Sequence, residues 1–121
     1  MRNRKKGRKL GRVRNQRKAL IAGLVSNLII NEKITTTEAK AKEIKPVIDK
    51  VITKAKKSES DAIKKVAVIR DLRKNLNKEA VKKITGDFLQ KFSKRNSGYT
   101  RIIKLPNRKS DDARMAVIEF V

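Results

Sequence analysis

The first eighteen residues carry ten basic side chains and no acidic one, and this run limits what the chain can fold into. Leu10 and Val13 stand alone there as residues that a core could bury, and like charges repel along the segment. We therefore predict that residues 1–15 form an extended basic arm, which could reach about 50 Å when fully extended. Residues 16–121 are left to form a single globular domain.

The positive charge is concentrated in two segments. The whole chain has 34 Lys and Arg against 12 Asp and Glu, a formal net charge of +22. Residues 88–110 hold seven further basic residues and no acid, so this segment and the N-terminal run supply 17 of the 22 net charges. Such self-repulsion is costly unless an anionic partner neutralises it, and the pattern indicates a polyanion, above all a nucleic acid.

The residue types exclude most kinds of catalysis. The chain has no cysteine and no histidine, which removes disulfides, thiolate and imidazole metal sites, Cys nucleophiles and His bases. Tyr99 has no partner base that would make it a nucleophile. Asp111 and Asp112 fit a turn better than a catalytic carboxylate pair, and the sequence has no glycine-rich phosphate loop. We predict no enzyme activity, no cofactor, no metal and no small-molecule substrate.

A secretion signal is the alternative reading of the N-terminus, because the apolar stretch 19–30 follows a basic run. Ser26 and Asn27 interrupt that stretch, no small-residue cleavage pattern follows directly, and twelve residues are too few to span a bilayer. We therefore expect no membrane partner and a cytoplasmic protein.

Apolar spacing predicts the first two helices. Residues 16–30 repeat at helical intervals, with Asn31 as a left-handed C-terminal cap. The β-branched residues 33–36 predict a strand, and Thr37 is the expected N-cap of a helix that runs to residue 57. Pro46 lies inside this helix and should kink or split it.

The second half predicts two shorter helices and a hairpin. Asp61 and Asn77 are the expected caps, and Gly86 should end the short helix that runs through Ile84. Phe88, Leu89 and Phe92 should anchor an irregular segment to the core. Residues 99–105 and 113–121 predict strands joined by a seven-residue loop. The predicted fold is α+β, with about four helices on a small mixed sheet of about three strands.

The chain has only four aromatic residues, too few for a sheet that stacks single-stranded bases. Arginine outnumbers lysine six to four in residues 1–18, which suits bidentate phosphate contacts. An arm joined to a small body fits a structured RNA. An architectural DNA-binding protein is the alternative, and a membrane-active cationic protein is a weaker one, since the body is not a single amphipathic helix.

Three ordered motifs make the chain resemble the bacterial large-subunit ribosomal protein family numbered seventeen. They are MRNRKKGRKL at residues 1–10, ITTT and AKAKE at 34–37 and 39–43, and SGYTRI with MAVIE at 97–102 and 115–119. The resemblance implies a structural ribosomal protein that binds large-subunit ribosomal RNA near the exit of the nascent-peptide tunnel. It also implies neighbouring large-subunit proteins as partners.

The predicted RNA-binding residues come from the arm, the strand-to-helix motif and the C-terminal basic segment. They are Arg2, Arg4, Lys5, Lys6, Arg8, Lys9, Arg12, Arg14, Arg17, Lys18, Lys40, Lys42, Lys94, Arg95, Tyr99, Arg101, Lys104, Arg108 and Lys109. Arg101 shares a strand face with Tyr99, so we expect ring and guanidinium to form one RNA-binding patch, with a solvated edge-strand charge as the alternative.

Overall fold

The computed structural model describes residues 7–58 and 61–121, and it forms an α+β fold. Four α-helices, one 3₁₀ helix and three strands occupy these residues. Their bounds are α1 Arg14–Asn31, β1 Lys33–Thr37, α2 Glu38–Lys57, α3 Ala62–Leu72, α4 Lys78–Ile84, the 3₁₀ helix Asp87–Phe92, β2 Thr100–Leu105 and β3 Met115–Phe120.

Three predicted N-caps are confirmed. The Thr37 hydroxyl accepts a hydrogen bond from the Lys40 N–H at 3.4 Å. The Asp61 carboxylate accepts from the Ile63 N–H at 3.0 Å, and the Asn77 side-chain oxygen accepts from the Ala80 N–H at 2.8 Å. Each cap satisfies a backbone donor that its helix cannot pair, so the starts of α2, α3 and α4 follow from local sequence.

The two ends of α1 differ from prediction. Glu32, not Asn31, takes the left-handed conformation, with φ of 67°, and its N–H donates to the Leu28 carbonyl at 2.7 Å. The Asn31 prediction was wrong by one residue because the apolar repeat continues through Ile30 and carries Asn31 into the last turn. The helix also begins two residues before the predicted start. The α4 helix, in contrast, ends at Ile84 as predicted.

Pro46 does not split α2, which is one helix from Glu38 to Lys57. Pro46 itself is exposed, so the carbonyl that loses its N–H partner lies on the solvated side. Ile44, Ile48 and Ile52 are fully buried on both sides of the proline. This continuous apolar face holds the two halves of the helix against the same core.

The sheet is antiparallel throughout, with strand order β1-β3-β2, which corrects the prediction of a mixed sheet. Ile118 of the central strand pairs with Ile34 on one side and with Ile102 on the other. The loop between β2 and β3 has nine residues, 106–114, because β3 begins at Met115 rather than at residue 113.

Helices cover one face of the sheet. The α2 helix packs on all three strands, and Ala116 and Ile118 of β3 are fully buried beneath the helical layer. The α1 helix contacts α2, α4 and β1, as expected for a helix with a wide apolar face. In α3 only Leu72 is buried, and Ile63 is 80% exposed, so this helix adds little to the core.

Candidate nucleic-acid interface

The base of the arm is fastened to α2 through Glu43. The Arg8 backbone N–H donates to Glu43 Oε1 at 3.3 Å, and the Arg8 guanidinium lies 3.4 Å from Glu43 Oε2. Gly7 has φ of +92°, and a Cβ atom there would lie 2.9 Å from Glu43 Oε1. The positive φ favours glycine at this position, whereas the flexible Glu43 side chain could move away from a Cβ atom.

The next arm residues form a turn rather than an extended strand. Leu10 and Gly11 have φ of 54° and 63°. The Arg12 N–H donates to the Lys9 carbonyl at 3.1 Å, and the Arg12 guanidinium donates to the Leu10 carbonyl at 2.6 Å. Within the predicted arm, Leu10 and Gly11 therefore form a local turn, which the hydrogen bond from the Arg12 side chain stabilises. Arg2, Arg4, Lys5 and Lys6 lie outside the described residues.

The start of α1 carries positive charge without a compensating group. Its N-cap is Val13, which makes no side-chain cap, and its first turn contains no acid. Arg14, Arg17 and Lys18 stand in the first two turns, where the helix dipole is also positive. An anion at this end would satisfy backbone N–H groups and pair with these cations.

Cations from three parts of the chain meet around Glu38, in a shallow cavity of about 310 Å³ that we call the Glu38 depression. Arg8 from the arm, Lys42 from α2 and Arg114 from the end of the hairpin loop line it. Lys42 lies 2.9 Å from Glu38 Oε1, and Lys104 lies 3.8 Å from the same oxygen. The hydrogen bond from Lys42 is the main cause that lowers the pKa of Glu38, so one carboxylate stays ionised amid several cations.

The hairpin loop is organised by Asp111. Its carboxylate accepts two hydrogen bonds from the Arg108 guanidinium, at 2.9 and 2.7 Å, and one from the Ala113 N–H at 3.2 Å. The Arg108 contact is the main cause that lowers the pKa of Asp111 to about 2 and raises that of Arg108. Arg108 therefore shapes the loop, while Lys109 beside it is exposed.

Tyr99 is buried, which contradicts its predicted place in an RNA-stacking patch. The residue is 1% exposed, and its ring meets that of Phe92 edge to face at 5.4 Å. Phe88 and Phe120 complete the same cluster, so all four aromatic residues of the chain pack against one another. The prediction failed because the strand pattern did not show that the 3₁₀ helix covers this ring.

Arg101 lies on the face of β2 that points away from the core, and it pairs with Glu119 of the neighbouring strand β3. Its Nε donates to Glu119 Oε1 at 2.8 Å, and the side chain is 60% exposed. The predicted pairing of Arg101 with the Tyr99 ring is therefore wrong, because that ring is buried. Arg101 nevertheless remains a cation on the outward face of the sheet.

The remaining predicted residues are distributed over the surface. Lys9, Lys94 and Arg95 are exposed, and the Arg95 guanidinium donates to the Gly98 carbonyl at 3.5 Å. Lys40 is half-buried in the first turn of α2. The structure thus joins the arm base to the hairpin end but does not join every predicted residue into one patch.

Sequence reasoning missed Arg114, Lys50 and Lys54. Arg114 fell within the predicted strand 113–121 and was not chosen as a binding residue. Its place in the same depression as Arg8 depends on the long-range pairing of β1 with β3. For Lys50 and Lys54 a signal was available, since they follow Glu43 and Val47 at helical intervals of three or four residues.

Among residues 7–58 and 61–121, no helix is long and apolar enough to cross a bilayer. The same residues contain no cluster of three or more acidic side chains that could hold a metal ion.

Comparison with known proteins gives a consistent result. Residues 20–121 match a family model described as ribosomal protein L17. A protein named large ribosomal subunit protein bL17 from Chloroherpeton thalassium is 51% identical over 100% of this chain and 69% of its own length. Its namesake from Shouchella clausii is 46% identical over 93% of this chain and 97% of its own length.

Proposed function

Because the chain belongs to the ribosomal protein L17 family, which comprises structural ribosomal components rather than enzymes, we propose that it binds large-subunit ribosomal RNA. In this proposal it stabilises the folded RNA near the exit of the nascent-peptide tunnel. It acts in cytoplasmic ribosomes, beside neighbouring large-subunit proteins.

The observation that carries the proposal is the convergence of cations at the Glu38 depression. Arg8, Lys42 and Arg114 are separated in sequence but line one surface. Lys104 reaches the same carboxylate from β2. Glu38 and Glu43, which pairs with Arg8, cannot together neutralise four cations, so this surface retains positive charge that phosphates would balance.

The predicted RNA-binding residues enter the proposal with different roles. Lys9, Lys94, Arg95 and Lys109 are exposed and suit contacts to phosphates. Arg108 acts mainly by fixing the loop that carries Lys109 through its bonds to Asp111. Tyr99 is left out, because its ring is buried.

The outward face of the sheet suits contact with a neighbouring protein. Ile103 of β2 is 45% exposed and pairs with half-buried Val117 of β3 on this face. The face is less charged than the Glu38 depression, and its Arg101 is paired with Glu119. Apolar contact of this kind is typical of the core of protein–protein interfaces.

The test compares affinity for a large-subunit ribosomal RNA fragment with affinity for duplex DNA of equal length across a salt series. Replacing both Arg8 and Arg114 by Gln should reduce the magnitude of the log–log salt slope for RNA by about 1.4 to 1.8, or 0.7 to 0.9 for each lost phosphate contact.

The control is a variant with Gln in place of Lys64 and Lys65, which lie on the exposed side of α3. This variant loses the same total charge as the variant that replaces Arg8 and Arg114. It should leave the slope near the wild-type value. Equal losses in both variants, or preference of the wild-type protein for duplex DNA, would overturn the proposal and favour the architectural DNA-binding alternative.

A further inference from the structure

An open cavity of about 410 Å³ lies between α1, α2 and the C-terminal end of α3, and we call it the α1–α2 groove. Its floor is aliphatic, with half-buried Ile21 of α1 and Val47 of α2, while Val25, Val51 and Leu72, which also line the cavity, are almost fully buried. The volume falls in the range of roughly 300–1,000 Å³ that is typical of sites for small organic groups. The groove can therefore hold a flat apolar group the size of a nucleobase.

The rim of the groove is cationic. Arg14, Arg17 and Lys18 stand on the α1 side, and Lys50 and Lys54 stand on the α2 side. Within the part of the chain that the structure describes, no carboxylate lies within ion-pair distance of Arg14, Lys18 or Lys50.

The two acids that line the groove are already engaged. Glu43 holds Arg8, and Asp71 lies 2.8 Å from the Lys54 ammonium. The hydrogen bond from Lys54 is the main cause that lowers the pKa of Asp71. The α1 side of the rim therefore keeps its positive charge, and the uncapped start of α1 adds the positive end of a helix dipole there.

We propose that the α1–α2 groove is a binding site for one unstacked nucleotide of the ribosomal RNA. The base lies on the aliphatic floor, and its phosphate meets Arg14, Lys18 and the N–H groups that open α1. Bases splayed out of loops and bulges are the usual targets of proteins that bind folded RNA. The aliphatic floor offers no hydrogen-bonding group, and Asn75, which also lines the groove, has an amide that could contact a base edge. This inference rests on the proposed function, of which it names one contact.

An acidic peptide is the competing occupant, and the geometry favours the nucleotide. Phosphate oxygens can accept several N–H groups at a helix start, as anions bound at helix N-termini do. The groove also continues into the basic arm, because the Arg17 guanidinium on its rim donates to the Arg12 carbonyl at 3.4 Å. An RNA strand that follows the arm would pass the open end of the groove.

The first test fills the groove without changing charge. Ala22 lines it and is half-buried, so Ala22→Phe places a ring in open space over the floor. Affinity of the full chain for a large-subunit ribosomal RNA fragment should fall about tenfold, which corresponds to about 1.4 kcal/mol of binding free energy. The salt slope should stay unchanged, because the rim cations remain. The matched control is Ala62→Phe, at the exposed first residue of α3, which should bind like the wild type.

The second test removes a rim cation and identifies the occupant. Lys18→Gln should reduce the magnitude of the salt slope by about 0.7 to 0.9, because Lys18 contacts the phosphate in this proposal, whereas Lys64→Gln on α3 should not. Ultraviolet crosslinking of assembled large subunits, followed by mass spectrometry, should attach nucleotides to peptides from residues 21–25 or 47–54. Melting temperatures check that each variant is folded.

The outcomes separate this inference from the proposed function. If the wild-type protein binds the RNA but Ala22→Phe binds equally well and no groove peptide crosslinks, the groove proposal is wrong and the function stands. If groove peptides crosslink to a protein, the acidic-peptide alternative is correct. If the wild-type protein does not bind ribosomal RNA at all, both proposals fail.

Discussion

Replacement of Tyr99 distinguishes a core ring from an RNA-stacking ring. The ring is 1% exposed and lies 5.4 Å from Phe92, centroid to centroid. Removing a fully buried aromatic side chain costs 3 to 5 kcal/mol in other cores, so we expect Tyr99→Ala to lower the free energy of unfolding by about 4 kcal/mol. For a domain of this size that is a fall of roughly 12–20 °C in melting temperature.

Tyr99→Phe isolates the hydroxyl. The Tyr99 hydroxyl donates to the Arg95 carbonyl at 3.4 Å, which is long for an O–H donor. Its loss should cost less than about 1 kcal/mol. The two variants together therefore assign the stabilisation to the ring.

The assay pairs urea denaturation, followed by circular dichroism, with RNA affinity measured in the cold, where Tyr99→Ala remains folded. We expect a large loss of stability and unchanged affinity for ribosomal RNA. The opposite pattern would refute the reasoning. In that case the binding free energy would weaken by about 1–3 kcal/mol, as for the loss of one stacked base, and the denaturation midpoint would change little.

Three further changes test local contacts. Glu43→Ala should speed amide exchange at Arg8 while lowering the free energy of unfolding by less than about 1 kcal/mol, and unchanged exchange would show that the contact does not hold the arm. Carboxyl-carbon NMR should find a pKa of about 2 for Asp111, rising toward 3.8 in Arg108→Ala. Because the folded pKa lies below the unfolded value, this stabilisation is present above pH 3.8 and is lost as the pH falls to about 2; a native pKa near 3.8 would contradict it. Asn77→Ala should lower the free energy of unfolding, measured by urea denaturation, by about 1 kcal/mol, and an unchanged value would show that the cap is absent.

Local chemistry was the part of the fold that could be predicted from sequence. Thr37, Asp61 and Asn77 cap their helices because a short polar side chain can reach an unpaired N–H two or three residues ahead. The strand face shared by Arg101 and Ile103 follows from the two-residue period and is confirmed by their pairing with Glu119 and Val117.

Contacts between distant segments could not be predicted. The burial of Tyr99 depends on Phe92 of the 3₁₀ helix, and the position of Arg114 beside Arg8 depends on β3 pairing with β1. Pro46 was a local signal that tertiary packing overrode. The backbone hydrogen bond that proline cannot donate is missing on the solvated side of α2, while the buried side of the helix remains continuous.

The placement of β3 in the middle of the sheet has a consequence for the order of folding. The last strand in the chain is the one that both other strands need, since Thr35 pairs with Val117 across most of the sequence. A growing chain can form α1 and α2 early, but β1 has no partner strand until β3 has emerged. Closing so long a loop is entropically slow, so sheet formation should limit the folding rate. Until then the helices lack the sheet against which they pack.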